Sequence, residues 1–197
     1  MATIERNQIA KGAIALKWVE FKRLLKMLEA DEKYQYALLF ALGCMTGFRI
    51  SDLLSVEWKQ VLNTEYLTIK EKKTGKVRTV KLNLVLQGLI QKYYKALKPK
   101  GIYCFEGKRS QGTPFTTQYI NKILKQIKAT YPIDHVGQFS SHTFRKTFGK
   151  RMYDQASDKS GALINLSKIF NHSGIDVTRE YIGIEAQEIE SMYDNMW

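Results

Sequence analysis

The segment Ala37-Leu38-Leu39-Phe40-Ala41-Leu42 carries no polar side chain, and it lies in a stretch with helical character from about Glu32 to Met45. A helix that is apolar on every side must be enclosed by other elements, because any face left to water would expose leucines. The chain is therefore expected to wrap around one buried central helix, capped at its start by Asp31 and stopped by Gly47.

The flanking segments have the patterns needed to enclose it. Trp18, Phe21, Leu24, Leu25 and Leu28 fall on one helical stripe, opposite Lys22, Arg23 and Lys26. Leu86, Leu89, Ile90, Tyr93, Tyr94 and Leu97 give a second amphipathic helix, ended by Pro99 and Gly101. Ile120, Ile123, Leu124 and Ile127 give a third, started by Thr116 or Thr117 and closed by Pro132. Tyr66–Lys70 and Val77–Leu82 instead alternate with period two, and Lys72-Lys73-Thr74-Gly75-Lys76 between them is a turn sequence. That is a β-hairpin with a basic tip, since residues 70–81 hold six basic residues and one acidic. Ile102–Phe105 reads as a short strand or edge, and the loop 106–115 carries Lys108 and Arg109. The fold class is mixed α+β, mainly α-helical with a small antiparallel β-sheet.

The chemistry-bearing residues lie at element ends. Ser141 to about Tyr153 reads as a helix with Phe144, Phe148 and Met152 as its core stripe. His142 and Arg145 share one face of it, with Ser140 or Ser141 as a natural N-cap. At a helix start the dipole and the unpaired N–H groups already favour an anion, so an imidazole and a guanidinium there suit a phosphate. Arg49 sits on the turn after the central helix, where Ser51 can cap a short new one. Leu163, Leu166, Ile169 and Phe170 give an amphipathic helix with His172 just past its end. Ser173 and Asp176 look like a capping pair for the next helix, which carries Thr178 and Tyr181. Taken singly these are ordinary features: a cap pair, a carbonyl-satisfying histidine, one of 11 tyrosines. Together they describe cations and a phenol that can meet around one phosphodiester.

Charge supports that partner. The formal net charge is +12 over 197 residues, which points to a polyanion, with nucleic acid first. The segment from Asp176 to the end runs the other way, with six acidic residues and one basic, so it is expected to face away from phosphates or to dock on protein. Within it, Ile189, Met192, Tyr193 and Met196 form an apolar stripe that can pack on its own domain or on a neighbour's. Cys44 and Cys104 make no disulfide framework and fit a reducing cytoplasm. Met1–Gly12 has no apolar core of a signal peptide, and no run of about 18 apolar residues suggests a membrane span.

These motifs, in this order, resemble the catalytic domain of the tyrosine recombinases, or phage integrase family. The resemblance runs from roughly Trp18 to Ile184 and rests on five stretches. They are Thr-Gly-Phe-Arg-Ile-Ser-Asp-Leu-Leu at 46–54, Lys-Lys-Thr-Gly-Lys at 72–76, Ser-His-Thr-Phe-Arg at 141–145, Phe-Asn-His-Ser-Gly-Ile at 170–175 and Thr-Arg-Glu-Tyr at 178–181. It implies Arg49, His142, Arg145 and His172 as catalytic residues, Tyr181 as the nucleophile, and Asp52 as the acid supporting Arg49 from behind. Lys73 is implied as the hairpin lysine, with Lys72 and Lys76 as rivals. Asn171 departs from the glycine that many members place before the histidine.

The implied activity is site-specific recombination of a mobile element or phage through a 3′-phosphotyrosine intermediate, without ATP, metal or other cofactor. A type IB topoisomerase-like nicking-closing enzyme and a catalytically silent DNA-binding protein are the alternatives. The implied partners are double-stranded DNA, other protomers in a dimeric or tetrameric synapse, and an accessory DNA-bending protein, with no membrane. The implied location is the cytoplasm, at the nucleoid. The expected organisation is a lead-in at 1–16, a catalytic domain at 17–184 and a tail helix at 185–197. The lead-in is too short for the N-terminal DNA-clamping domain that the family usually carries.

Overall fold

The computed structural model describes residues 13, 15–107, 112–133, 137–184, 191, 193, 194 and 196. Among the described residues eight α-helices, a short 3-10 turn (Trp58–Gln60) and one hairpin occur: α1 (Trp18–Ala30), α2 (Tyr34–Thr46), α3 (Ile50–Leu53), β1 (Tyr66–Lys70), β2 (Val77–Lys81), α4 (Leu84–Leu97), α5 (Thr117–Thr130), α6 (Ser141–Gln155), α7 (Lys159–Phe170) and α8 (Ile175–Ile182).

Helix α2 is the enclosed centre. Every residue from Ala37 to Leu42 is 2% exposed or less, and α1, α4 and α6 pack around it. Gly47 ends it at φ 64, in the left-handed region where a side chain is disfavoured. Asp31 does not cap it: Asp31 closes α1, and its carboxylate accepts from the Tyr131 hydroxyl. Ser51 lies inside α3, whose N-cap is Arg49.

The hairpin pairs Leu67 with Val80 and Ile69 with Arg78, so one face is buried and the other looks outward. Ile102–Phe105 forms an edge, with Cys104 N–H donating to the Val56 carbonyl and Trp58 N–H to that of Ile102. Thr116 is the residue that caps α5, through the Tyr119 N–H.

Two apolar clusters result. The large one gathers α1, α2, β1, α4, α5 and Phe144 of α6. The small one holds Leu163, Leu166, Phe170, Ile182 and Ile184, with Phe148 and Tyr181 against it. Met152, expected in the core stripe, is 45% exposed, because α6 turns Arg145, Thr147 and Gly149 inward instead. Gly174 rather than Ser173 is the N-cap of α8. Lys108, Arg109 and nearly all of the expected tail helix lie outside the described residues; Tyr193 and Met196 are exposed.

Candidate active site

The seam between the two clusters is lined by cations. Helix α6 begins with its Ser141 N–H on Asn121 Oδ1, and the Thr143 hydroxyl accepts from the Ser140 N–H. One turn on, Arg145 runs inward, 5% exposed. It donates to the Gly47 carbonyl at 2.6 Å and the Phe170 carbonyl at 3.0 Å, and its guanidinium lies 4.3 Å from the centre of the Phe170 ring. Burial pushes it down to about 10, so it remains charged at neutral pH.

Arg49 approaches from the other side. It donates to Glu71 Oε2 at 2.7 Å and to the same Phe170 carbonyl at 3.3 Å. Phe170 is the last residue of α7, where carbonyls lack helical partners and the dipole is negative, so one oxygen can hold two guanidiniums. A guanidinium has five donors. The bonds described use two on each arginine.

The chain then turns through Asn171 in the left-handed conformation, φ 52, and brings His172 under Tyr181, with ring centres 5.1 Å apart. His172 Nδ1 is 3.0 Å from Thr178 Oγ1, a side chain wholly buried at the root of α8. Tyr181 projects from α8 so that its hydroxyl stands 3.5 Å from His142 Nδ1, and Lys146 Nζ lies 5.1 Å over its ring. Burial raises the phenol above its ordinary value, opposed by the charges of Arg145 and Arg49. Burial lowers His142, and the charges of Lys146, Arg145 and Lys73 lower it further. His172 is lowered by burial and by the two arginines.

The three hairpin lysines part company. Lys76 Nζ donates to Asn171 Oδ1 at 2.6 Å, and the Lys72 N–H donates to Asp52 Oδ1 at 2.9 Å. Lys73 is exposed, and it is the one of the three whose charge holds His142 down. The structure thus gathers Arg49, His142, Arg145, His172 and Tyr181 at one place, with Lys73 on the nearby hairpin turn.

Asp52 stands differently from its expected position behind Arg49. It is wholly buried, but its described bond is to the hairpin backbone, and the carboxylate on Arg49 is Glu71. Sequence reasoning assigned no role to Glu71 or to Arg78. Glu71 is 4% exposed. Arg78 donates to the Thr46 and Ile169 carbonyls, stacks 3.8 Å over Phe48, and brings Nε to 3.8 Å from Glu71 Oε1. Burial would raise the Glu71 carboxyl, but bonds from Thr74 and Arg49 and the charges of Arg49 and Arg78 hold it below the usual range. A signal was present: alternation continues inward from Leu67 and Ile69 to Glu71, the one acid among the hairpin's six bases.

The chain is similar to known proteins in sequence and in fold. Residues 16–188 match the Phage integrase family. A probable integrase/recombinase of Bacillus subtilis, YoeC, is 32% identical over 157 residues, covering 79% of this chain and 81% of that protein. Among solved structures, XerA recombinase superposes with a TM-score of 0.72 at 19% identity, over 92% of this chain and 64% of that one. The Tn1549 transposon integrase, solved in complex with transposon right end DNA, gives 0.68 at 17% identity, over 93% and 67%. The chain spans just over half the length of further curated relatives. Among the described residues no helix is long and apolar enough to cross a membrane. With the family match running over residues 16–188 and the fold shared, this chain belongs to the phage integrase family.

Proposed function

We propose that this chain is the catalytic domain, residues 17–184, of a site-specific recombinase that cuts and rejoins double-stranded DNA of a mobile element or phage. The observation that carries this is Tyr181, whose hydroxyl faces His142 at 3.5 Å while both guanidiniums act on the phenol. A phenol with a raised pKa is a poor nucleophile until a base takes its proton, and His142, kept neutral by burial and nearby cations, is that base.

The scissile phosphate sits over Arg49 and Arg145, whose remaining N–H groups grip its non-bridging oxygens. The Thr178 hydroxyl donates its proton to the Gly174 carbonyl and so accepts from Nδ1–H of His172; when the imidazole is protonated on both nitrogens, Nε2–H adds a third donor. These groups stabilise the charge of the in-line transition state; the loss of one such donor costs about a hundredfold or more. Tyr181 Oη attacks phosphorus and its proton passes to His142. The bond from phosphorus to the 5′-oxygen breaks, and that oxygen takes a proton from Lys73. The 3′-phosphate stays on Tyr181 and a free 5′-hydroxyl leaves. Attack by a 5′-hydroxyl of another strand reverses the step, so the ester energy is conserved and no ATP is consumed. Other copies of the chain assemble on the DNA, and the enzyme works at the nucleoid, where an accessory DNA-bending protein can shape the complex.

Covalent capture on nicked duplexes randomised around the nick tests this. The short fragment diffuses away after cleavage and strands the intermediate. The wild-type chain should be recovered joined to DNA through Tyr181, and Tyr181→Phe should not. Equal capture by both chains, or none by the wild type, would overturn the reading.

A further inference from the structure

The Glu71 carboxylate joins two parts of the site that the proposed mechanism uses separately. Oε2 accepts from Arg49 at 2.7 Å and from the Thr74 hydroxyl at 3.0 Å. Thr74 directly follows Lys73. The backbone of Glu71 also closes the hairpin turn, since its N–H donates to the Lys76 carbonyl and its carbonyl accepts from Gly75, each at 2.8 Å. The other oxygen faces Arg78 Nε at 3.8 Å. Asp52 pins the next residue, Lys72, by its N–H. The segment carrying Lys73 is therefore tied to the floor of the site by a buried anion that also holds Arg49.

We propose that Glu71 is a positioning residue that locks Arg49 and the Lys73 turn into one rigid unit, so that phosphate gripping and leaving-group protonation are aligned together. Two physical points support this. Arg49, Arg78 and Arg145 repel one another, and Glu71 is the carboxylate paired with two of them. Without its charge, Arg49 would turn toward solvent. A lysine on a two-stranded hairpin also has a wide range of motion unless its turn is anchored, and the Thr74–Glu71 bond is such an anchor. A misplacement of about 1 Å at a reacting group can cost about a hundredfold in rate.

This inference rests on the strand-transfer reading, and the test separates the two. Single-turnover formation of the covalent complex is measured on a captured nicked duplex with the normal 5′-oxygen at the scissile bond, and on one with sulfur in its place. A thiolate leaves without needing a proton, so the sulfur substrate bypasses Lys73 but not Arg49.

Glu71→Gln keeps the shape and removes the charge. It should slow the oxygen substrate by about a hundredfold, and sulfur should restore part of the loss. Thr74→Val cuts only the tie to the turn. It should slow the oxygen substrate by about tenfold, with sulfur restoring all of it. Glu71→Asp, which keeps the charge, should recover more activity than Glu71→Gln.

A merely structural glutamate would lower the thermal midpoint and slow both substrates equally; that result, or wild-type rates for Glu71→Gln, would overturn the inference. If the wild type itself formed no complex, or Tyr181→Phe still formed one, the strand-transfer reading would fail instead.

Discussion

Gly149 lies where α6 touches α8, and a methyl group there tests how firmly Tyr181 is held. A Cβ at this position would stand 2.6 Å from Ile182 Cγ2 and 3.0 Å from two atoms of the Phe170 ring. Carbon atoms rest about 3.5–4.0 Å apart, so α8 must retreat by about 1 Å. Two energies oppose each other in Gly149→Ala. Alanine is better than glycine inside a helix by about 1 kcal/mol, while crowding costs about 1–3 kcal/mol. The net loss is about 0–2 kcal/mol, a fall of no more than about 8 °C in the thermal midpoint for a chain of this size.

The chemistry has no such compensation. Tyr181 directly precedes Ile182 on α8, and a shift of about 1 Å at the attacking oxygen is enough for a loss of about a hundredfold. Gly149→Ala should therefore fold, bind DNA as the wild type does, and form the covalent complex about a hundredfold more slowly. Ile182→Ala makes room for the methyl group. Alone it should cost about 2–5 kcal/mol. In the double variant the two losses should fall short of their sum by about 0.5–3 kcal/mol, with part of the cleavage rate restored. Wild-type cleavage by Gly149→Ala would refute the claim that this contact sets the nucleophile.

Two further outcomes follow from the site. If His142 accepts the phenol proton, cleavage must rise with pH and reach half its plateau at the His142 pKa, which burial and the nearby cations hold below the ordinary imidazole value. Lys146→Gln removes a cation that lowers it, so the midpoint should move toward higher pH, in the rate profile and in the His142 ring resonance alike; an unmoved midpoint would exclude His142 as the base. Asn171→Gly keeps a residue suited to φ 52 and loses only the bond to Lys76. An exposed polar tie is worth about 0–1 kcal/mol, so stability should hardly change while hairpin amides exchange faster and cleavage slows a few-fold; unaltered exchange would show that this bond does not hold the hairpin.

Much of this was legible locally. Helix α4 begins and ends where its apolar spacing and Pro99 place it, and the hairpin strands follow their alternation, because period and turn chemistry act over a few residues. The misreadings are equally local. Asp31, Ser51 and Ser173 each have a capping side chain within two residues of the true N-cap, and which residue takes the cap geometry depends on how the neighbouring helix packs. Met152 has the right spacing for a core stripe. The inward positions of α6 were taken by Arg145 and Gly149, which meet α7 and α8, and by Thr147, which accepts from the Leu16 N–H.

What the chain order alone determined was the inventory: a wholly apolar helix that must be central, a basic hairpin, and a set of imidazoles, guanidiniums and a phenol at element ends. Residue type and spacing carry that information without reference to any partner. What only the tertiary structure decided was which groups meet. Glu71 rather than Asp52 takes Arg49, Lys76 reaches Asn171 across 95 positions, and Tyr181 of the same chain lies against His142. A buried charge accepts whichever counter-charge the packing of α2, the hairpin and α7 brings within about 3 Å, and that choice is made by the whole fold at once.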